Sequence, residues 1–397
     1  MLLSEGKRNK MRILICSVLF LLIIAPGIAG HAAAPKDTLK IGLISAFSGP
    51  GMAWGISWKT TLEIVCDEMN SKGGLRVGNK TYQLKVVPYD DKGNPEGALT
   101  AANRLVYEDQ VKYIFGPTIS ATVLSAQTIT EKEKVLILCL SFTRKTLSPE
   151  KPFSFRWIPT PFEYSIDEAA WLAKNRNIKT IVISAANDES GREGSQAVTE
   201  GYQKAGVKIL SQEFYERGAP DMLPLATRIM RYNPDLIEFD GGAPGDVVNI
   251  ANAARSQGYK NLMTKLGGGG NTCVEAAPEA LNGFIFHLES DITATTGKLA
   301  DLLRDIRKRA PQTPVDSAVA DEYSVLMMLM KAFQNAGTVD NTNAVRSALE
   351  RISDFEGING KFGWEGKETY GINHQLMCPL YLAEGVHGKI RILDKVR

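Results

Sequence analysis

The sequence lacks the residue patterns that enzymes and metalloproteins commonly use. Its 397 residues contain only four histidines, and the three beyond the N-terminal segment, His287, His374 and His387, are scattered. No Gly-x-Ser-x-Gly elbow, His-Glu-x-x-His pair or phosphate-binding glycine loop occurs, and the cysteines lack metal-ligand spacing. We therefore expect a protein that is not an enzyme and that binds neither a metal ion nor a cofactor.

The N-terminal segment has the three parts of an export signal. Four basic residues between Lys7 and Arg12 precede an apolar run at 13–24, and small residues follow at 27–34. The apolar run is too short to span a membrane comfortably. We expect that a signal peptide, residues 1–34, is cleaved and that the mature protein is located in the periplasm.

The chain also lacks a charge excess once this segment is removed. Residues 35–397 carry 42 basic and 43 acidic side chains, which does not favour nucleic acid or a membrane surface as a partner. Four cysteines remain: Cys66, Cys139, Cys273 and Cys378. An oxidising compartment would permit disulfides, but Cys66 and Cys139 fall in patterns typical of buried core, so we expect free, packed thiols.

Strand and helix patterns alternate along the chain. The alternation of strand and helix patterns up to residue 140 predicts a parallel sheet covered by helices. Pro159 and Pro161 interrupt this alternation, and a second series of alternating strands and helices begins at residue 163. We expect an α/β fold of two lobes, each a mostly parallel sheet flanked by helices, with three hinge crossings near Ile158, Glu289 and Gly363. Lobe one would comprise 35–158 and 290–362, and lobe two 159–289 and 363–397. A ligand would bind at the carboxyl ends of the strands.

Two loops of the first lobe carry candidate binding groups. The loop 116–122 joins a strand end to a helix start, where backbone N–H groups and Ser120 could bind an anion. The next strand ends at Ser141, Phe142 and Thr143, which could complete a carboxylate clamp. The alternatives are that Ser120 only caps its helix and that 141–143 is an ordinary polar turn.

Several segments, in order and spacing, resemble the leucine/isoleucine/valine-binding proteins of bacterial ABC importers, which have the type I periplasmic binding protein fold. The resemblance covers nearly all of the chain beyond the signal. It is carried by Ile-Gly-x-Ile-x-x-x-Ser-Gly-Pro at 41–50, Trp54-Gly55, Asn-x-x-Gly-Gly-Leu at 70–75, Asp90-Asp91, Tyr-Ile-Phe-Gly at 113–116 and Gly-x-Phe-x-Trp at 360–364.

The resemblance implies a function and roles for individual residues. The protein would capture a small ligand as a monomer and deliver it to a permease and ATPase complex at the membrane. Residues in the places of Ser120 and Thr143 hold the ligand carboxylate in that family, and Thr143 with the main chain at Ser141 holds the ammonium. A tryptophan like Trp54 packs over the ligand.

The second lobe departs from the family pattern. Ser190 stands where the family has a tyrosine, and Gly267 stands where an acidic residue neutralises the ligand's ammonium. An unpaired buried ammonium costs about 3–5 kcal/mol, which disfavours a plain α-amino acid. Asp240 could compensate, or it could simply cap the turn that follows it.

The ligand is therefore left open at this point. We expect a small carboxylate, either an amino acid or an aromatic or des-amino analogue, with its carboxylate on lobe one. Its bulky apolar group would lie against lobe two, in space left by the glycines at 267–270. Two alternatives are a sensory receptor of the same fold and an amide- or urea-binding relative.

Overall fold

Two β-sheets, each flanked by helices, make up the part of the chain that the computed structural model describes, residues 37–396. The expected signal peptide lies outside these residues. The α/β architecture of two mostly parallel sheets is confirmed. Among the described residues no helix is both long and apolar enough to cross a membrane.

The first sheet has a parallel centre with antiparallel edges. Two of its central parallel strands, 113–115 and 136–139, are apolar and buried along their whole length, as expected for strands covered on both faces. In spatial order its nine strands are Phe355–Glu356 (β12), Lys361–Glu365 (β13), Gln375–Met377 (β14), Ser154–Arg156 (β6), Leu136–Cys139 (β5), Tyr113–Phe115 (β4), Asp37–Ser45 (β1), Lys80–Asp90 (β3) and Leu75–Val77 (β2).

The second sheet is built in the same way. Five parallel strands are followed by two antiparallel strands at one edge. In spatial order its seven strands are Lys389–Lys395 (β16), Tyr381–Val386 (β15), Ile285–Leu288 (β11), Leu262–Lys265 (β10), Leu236–Glu238 (β9), Thr180–Ala186 (β7) and Lys208–Tyr215 (β8).

Helices connect the parallel strands. The described helices are Met52–Ser71 (α1), Pro95–Asn103 (α2), Ser120–Thr130 (α3), Pro161–Arg176 (α4), Glu189–Lys204 (α5), Leu223–Met230 (α6), Pro244–Ser256 (α7), Gly270–Ala276 (α8), Gly297–Arg309 (α9), Val319–Ala336 (α10), Thr342–Glu350 (α11) and Lys367–Tyr370 (α12). The helices between β1 and β6 accompany the first sheet. Helices α9 to α11 accompany it as well, because α1 packs against α9 and α10.

The chain passes between the sheets three times. The first two crossings follow β6 and β11, close to the expected Ile158 and Glu289. The third lies after Met377 and not near Gly363, because β13 and β14 both belong to the first sheet: Gly363 pairs with Met377, and Gln375 pairs with Arg156. Residues 363–377, expected in lobe two, are therefore strands and a short helix of the first lobe.

The described cysteines are packed thiols, as expected. Cys66, Cys139, Cys273 and Cys378 are all buried and free of disulfide bonds. Burial raises the pKa of the Cys66, Cys139 and Cys273 thiols to about 12, so these groups stay protonated at neutral pH.

A buried ion cluster joins the two lobes at the second crossing. His287 of β11 lies between two carboxylates, with Nδ1 3.0 Å from Glu168 Oε1 and Nε2 3.3 Å from Glu289 Oε1. All three side chains are at most 1% exposed. Ser317 Oγ, just before α10, donates to Glu289, and Asn359 Nδ2 donates to the Glu289 carbonyl at 2.9 Å. The cluster thereby links lobe-two elements to lobe-one elements.

The histidine in this cluster carries a positive charge. Burial alone would lower the pKa of His287, but the carboxylates of Glu168 and Glu289 outweigh it and raise that pKa to about 10. Because the pKa of His287 is higher in the folded state than in the unfolded state, its protonation stabilises the folded protein. This contribution is complete at pH values below the unfolded pKa, near 6.5, and it is lost as the pH rises towards 10.

We predict that His287→Gln lowers the free energy of unfolding by about 3–5 kcal/mol at pH 7, because it leaves two buried carboxylates without a cation. The loss should be smaller near pH 10, where His287 of the wild-type protein also releases its proton and the two carboxylates lack a cation in both proteins. Urea unfolding at both pH values measures this, with the exposed His387→Gln as the control. An equal loss at both pH values would contradict the ion-pair account.

Candidate functional site

A cavity lies between the lobes at the carboxyl ends of the parallel strands. Its volume is about 30 Å³, well below that of most small-molecule sites, so the lobes must separate further to admit a ligand. Its apolar wall comes from lobe one and the first crossing: Trp54, Trp58, Ile119, Leu140, Phe142 and Ile158. The polar side chains that line it are Thr118, Ser190, Arg217, Lys265 and Asp316.

The loops of lobe one form one hydrogen-bonded network, as their positions predict. Ser120 Oγ accepts hydrogen bonds from the backbone N–H groups of Phe142 and Thr143 at 3.0 and 3.2 Å, and Ser141 Oγ donates to it at 3.2 Å. All four residues are buried. The structure therefore brings together the side chains that were expected to clamp a carboxylate.

Lobe two contributes a side chain to this hydrogen-bonded network. Ser190 Oγ donates to Ser120 Oγ at 2.8 Å and accepts from the Ser120 N–H at 2.9 Å. Ser190, at the start of α5, thus occupies the position in front of the Ser120 N–H group where an anion would bind. It also lines the cavity.

A lobe-two carboxylate engages the other end of the clamp. Thr143 Oγ1 donates to Glu193 Oε1 at 2.6 Å, and the Arg144 N–H donates to Glu193 Oε2 at 2.8 Å. Next to them Lys145 Nζ lies 2.6 Å from Glu189 Oε1. In this closed arrangement Glu193 supplies to Thr143 the carboxylate that the family resemblance assigned to the ligand.

Asp240 lies behind the cavity wall and not in it. Its side chain is fully buried, and neither carboxylate oxygen has a hydrogen-bond partner of normal geometry within residues 37–396. It packs on the backbone of Gly194, where an added Cβ would come within 2.1 Å of Oδ2. Burial raises the pKa of Asp240 to about 7, against the effect of nearby Lys265. Asp240 therefore does not contribute to the lining of the cavity.

The glycine run at 267–270 allows close packing, and its Gly268 lines the cavity. Gly267 has φ +138°, and a Cβ there would lie 2.8 Å from the Tyr164 hydroxyl and 3.3 Å from the Phe142 ring. Gly269 has φ +84°, and its Cβ would lie 2.6 Å from Trp54 Nε1. The run thus lets a lobe-two loop approach the lobe-one aromatic residues.

Two cavity-lining cations were missed by the sequence reasoning. Lys265 is the last residue of β10, and Arg217 lies two residues after the end of β8. Charged residues directly after buried parallel strands are the signal that could have revealed them, because such strand ends meet at one edge of the sheet. Within residues 37–396 no group of His, Cys, Asp and Glu side chains is arranged to hold a metal ion.

Two α/β lobes with a cavity at their strand ends define the class of extracytoplasmic solute-binding proteins. A family model described as periplasmic binding protein matches residues 38–389. The chain therefore belongs to this family.

One curated relative is the leucine-, isoleucine-, valine-, threonine- and alanine-binding protein of Pseudomonas aeruginosa, 26% identical over 88% of this chain and 92% of its own. Among solved structures, a branched-chain amino acid transporter substrate-binding protein from Streptococcus pneumoniae in complex with isoleucine has a TM-score of 0.75 at 21% identity, covering 90% and 100% of the two chains. A solute-binding protein from R. palustris in complex with benzoate also scores 0.75, at 17% identity over 91% and 96%.

We predict that Glu193→Ala shifts the ligand-free protein towards a more open form, because it removes two hydrogen bonds across the cleft. Since Glu193 is partly exposed, the expected shift is about 1–2 kcal/mol, or roughly 5- to 30-fold in the closed-to-open ratio. Small-angle X-ray scattering should report a larger radius of gyration. The matched control is Glu200→Ala on the same helix, which pairs only with exposed Lys204; an equal change in both variants would contradict the prediction.

Proposed function

We propose that this protein captures a small carboxylate between its lobes and delivers it to the permease and ATPase complex of an ABC importer. It would act in the periplasm as a monomer, after removal of its signal peptide. The observation that carries the proposal is the cavity itself, which combines an apolar wall with Arg217 and Lys265. Buried cations in an apolar site are suited to hold a small anion with an apolar body.

Family membership supports the transport role. The Pseudomonas aeruginosa relative is named for the amino acids that it binds, and the solved relatives hold isoleucine and benzoate. Both of these ligands carry a carboxylate, so the anion is the part that the two have in common. This supports a carboxylate over an amide or urea as the ligand of this chain.

Ligand binding would act by shifting the population of closed molecules. The contacts of Ser190 and Glu193 across the cleft stabilise the closed arrangement of the lobes. A ligand shifts the equilibrium towards the closed form only to the extent that it binds the closed form more tightly than the open form. The closed form would then dock on the permease.

We predict that small carboxylates stabilise the refolded, ligand-free mature protein in a thermal-shift panel, whereas the matching amides do not. At a hundredfold excess over its dissociation constant, a ligand should add about 2.7 kcal/mol of stability. The panel pairs benzoate with benzamide, and 4-methylpentanoate with its amide. Stabilisation by the amides alone would contradict the proposal and favour an amide-binding protein.

A further inference from the structure

Two side chains of α5 bind hydrogen-bond donors of lobe one that would otherwise face the cleft. Glu193 accepts from Thr143 Oγ1 at 2.6 Å and from the Arg144 N–H at 2.8 Å. Ser190 Oγ accepts from the Ser120 N–H at 2.9 Å. Hydroxyl and backbone N–H groups of this kind commonly bind an anion, and here a carboxylate of the protein itself takes up two of them. These donors are not available to a ligand while the contacts are formed.

The helix that carries these two side chains is packed tightly on lobe two. A Cβ added at Gly191 would lie 2.1 Å from the Ala186 carbonyl oxygen, and one added at Gly194 would lie 2.1 Å from Asp240 Oδ2. Neither position has room for a side chain, so the start of α5 lies directly against the end of β7 and against Asp240. The backbone of this helix therefore moves with lobe two, and the contacts of its side chains with lobe one break when the lobes separate.

The cavity that remains beside these contacts is too small for a ligand of the proposed class. Its volume of about 30 Å³ holds only a few water molecules, whereas small-molecule sites commonly measure about 300–1,000 Å³. Phe142 of lobe one and Gly268 of lobe two both line it, so it widens when the two lobes move apart. The contacts of Ser190 and Glu193 oppose that movement, because they join the lobes across the same cleft.

Resting on the proposed function, we propose that Ser190 and Glu193 hold the cleft in a closed form that excludes the ligand, and that Glu193 thereby sets the affinity for the ligand. A ligand has to break these contacts before it binds, and the lobes then close around it at a wider separation. The form held by Glu193 and the form that holds a ligand are alternatives. Glu193 is in this sense a competitor built into the chain.

The direction of the effect separates a competitor from a latch that supports binding. If the Glu193 contacts persisted in the ligand-bound form, they would stabilise that form, and removing them would weaken binding. If the ligand has to break them, they stabilise only the ligand-free protein, and removing them strengthens binding. The two accounts therefore predict changes in affinity of opposite sign.

Isothermal titration calorimetry with benzoate, 4-methylpentanoate and isoleucine measures this sign. Glu193→Ala should bind the acids roughly 5- to 30-fold more tightly than the wild-type protein, the factor expected for the loss of two partly exposed hydrogen bonds. Glu193→Gln keeps one acceptor oxygen and should give a smaller gain. The matched control is Glu200→Ala on the same helix, which pairs with exposed Lys204 and should leave the affinity unchanged.

Stopped-flow tryptophan fluorescence shows which step changes, since Trp54 and Trp58 line the cavity. Association should be faster in Glu193→Ala, because a larger fraction of the molecules can admit the ligand, and the dissociation rate should stay unchanged. Faster dissociation with an unchanged association rate would overturn the inference, because it would place the Glu193 contacts in the ligand-bound form.

The outcomes separate this inference from the proposed function. If the acids bind and Glu193→Ala weakens their binding or leaves it unchanged, the inference is wrong and the proposed function stands. If an acid binds Glu193→Ala and not the wild-type protein, both are supported. If neither protein binds any of the three acids at millimolar concentration, the proposed function itself fails.

Discussion

The structure depends on how it neutralises charge that is buried between its two lobes. At the second crossing, His287 is held between Glu168 and Glu289, and Ser317 and Asn359 of the first lobe bind the same group of side chains. Removing one partner from such a cluster costs far more than the cluster contributes, because it leaves an unpaired buried charge. The elements that meet there are therefore held together. Asp316, which lines the cavity, lies directly before Ser317 of this cluster, so the cluster helps to position one part of the binding site.

The cavity is bounded by contacts between the same two lobes. Ser190 and Glu193 of lobe two pair with Ser120 and Thr143 of lobe one across the cleft. Among the lining residues, Thr118 Oγ1 of lobe one and Arg217 Nη1 of lobe two have no hydrogen-bond partner within residues 37–396. The other nitrogens of Arg217 are engaged by Asp188 and the Gly241 carbonyl. Each lobe therefore has a polar group left for a ligand.

Much of the fold could be predicted from the sequence, and less of the site. The alternation of apolar strands with amphipathic helices predicts two parallel sheets, since both patterns are local. The third crossing was misplaced, because the pairing of Gln375 with Arg156 joins residues more than two hundred positions apart. Ser120, Ser141 and Thr143 could be brought together from strand ends alone. Glu193 could not, because its role depends on lobe two lying against lobe one.

The most direct test of the central claim is a crystal structure of the mature protein with bound benzoate. The account predicts that benzoate lies in the cavity between the lobes, with its ring against the apolar wall that includes Trp54 and Phe142 and its carboxylate bound to polar side chains of the cavity lining. Benzoate bound outside this cavity, or absent from it, would contradict the account.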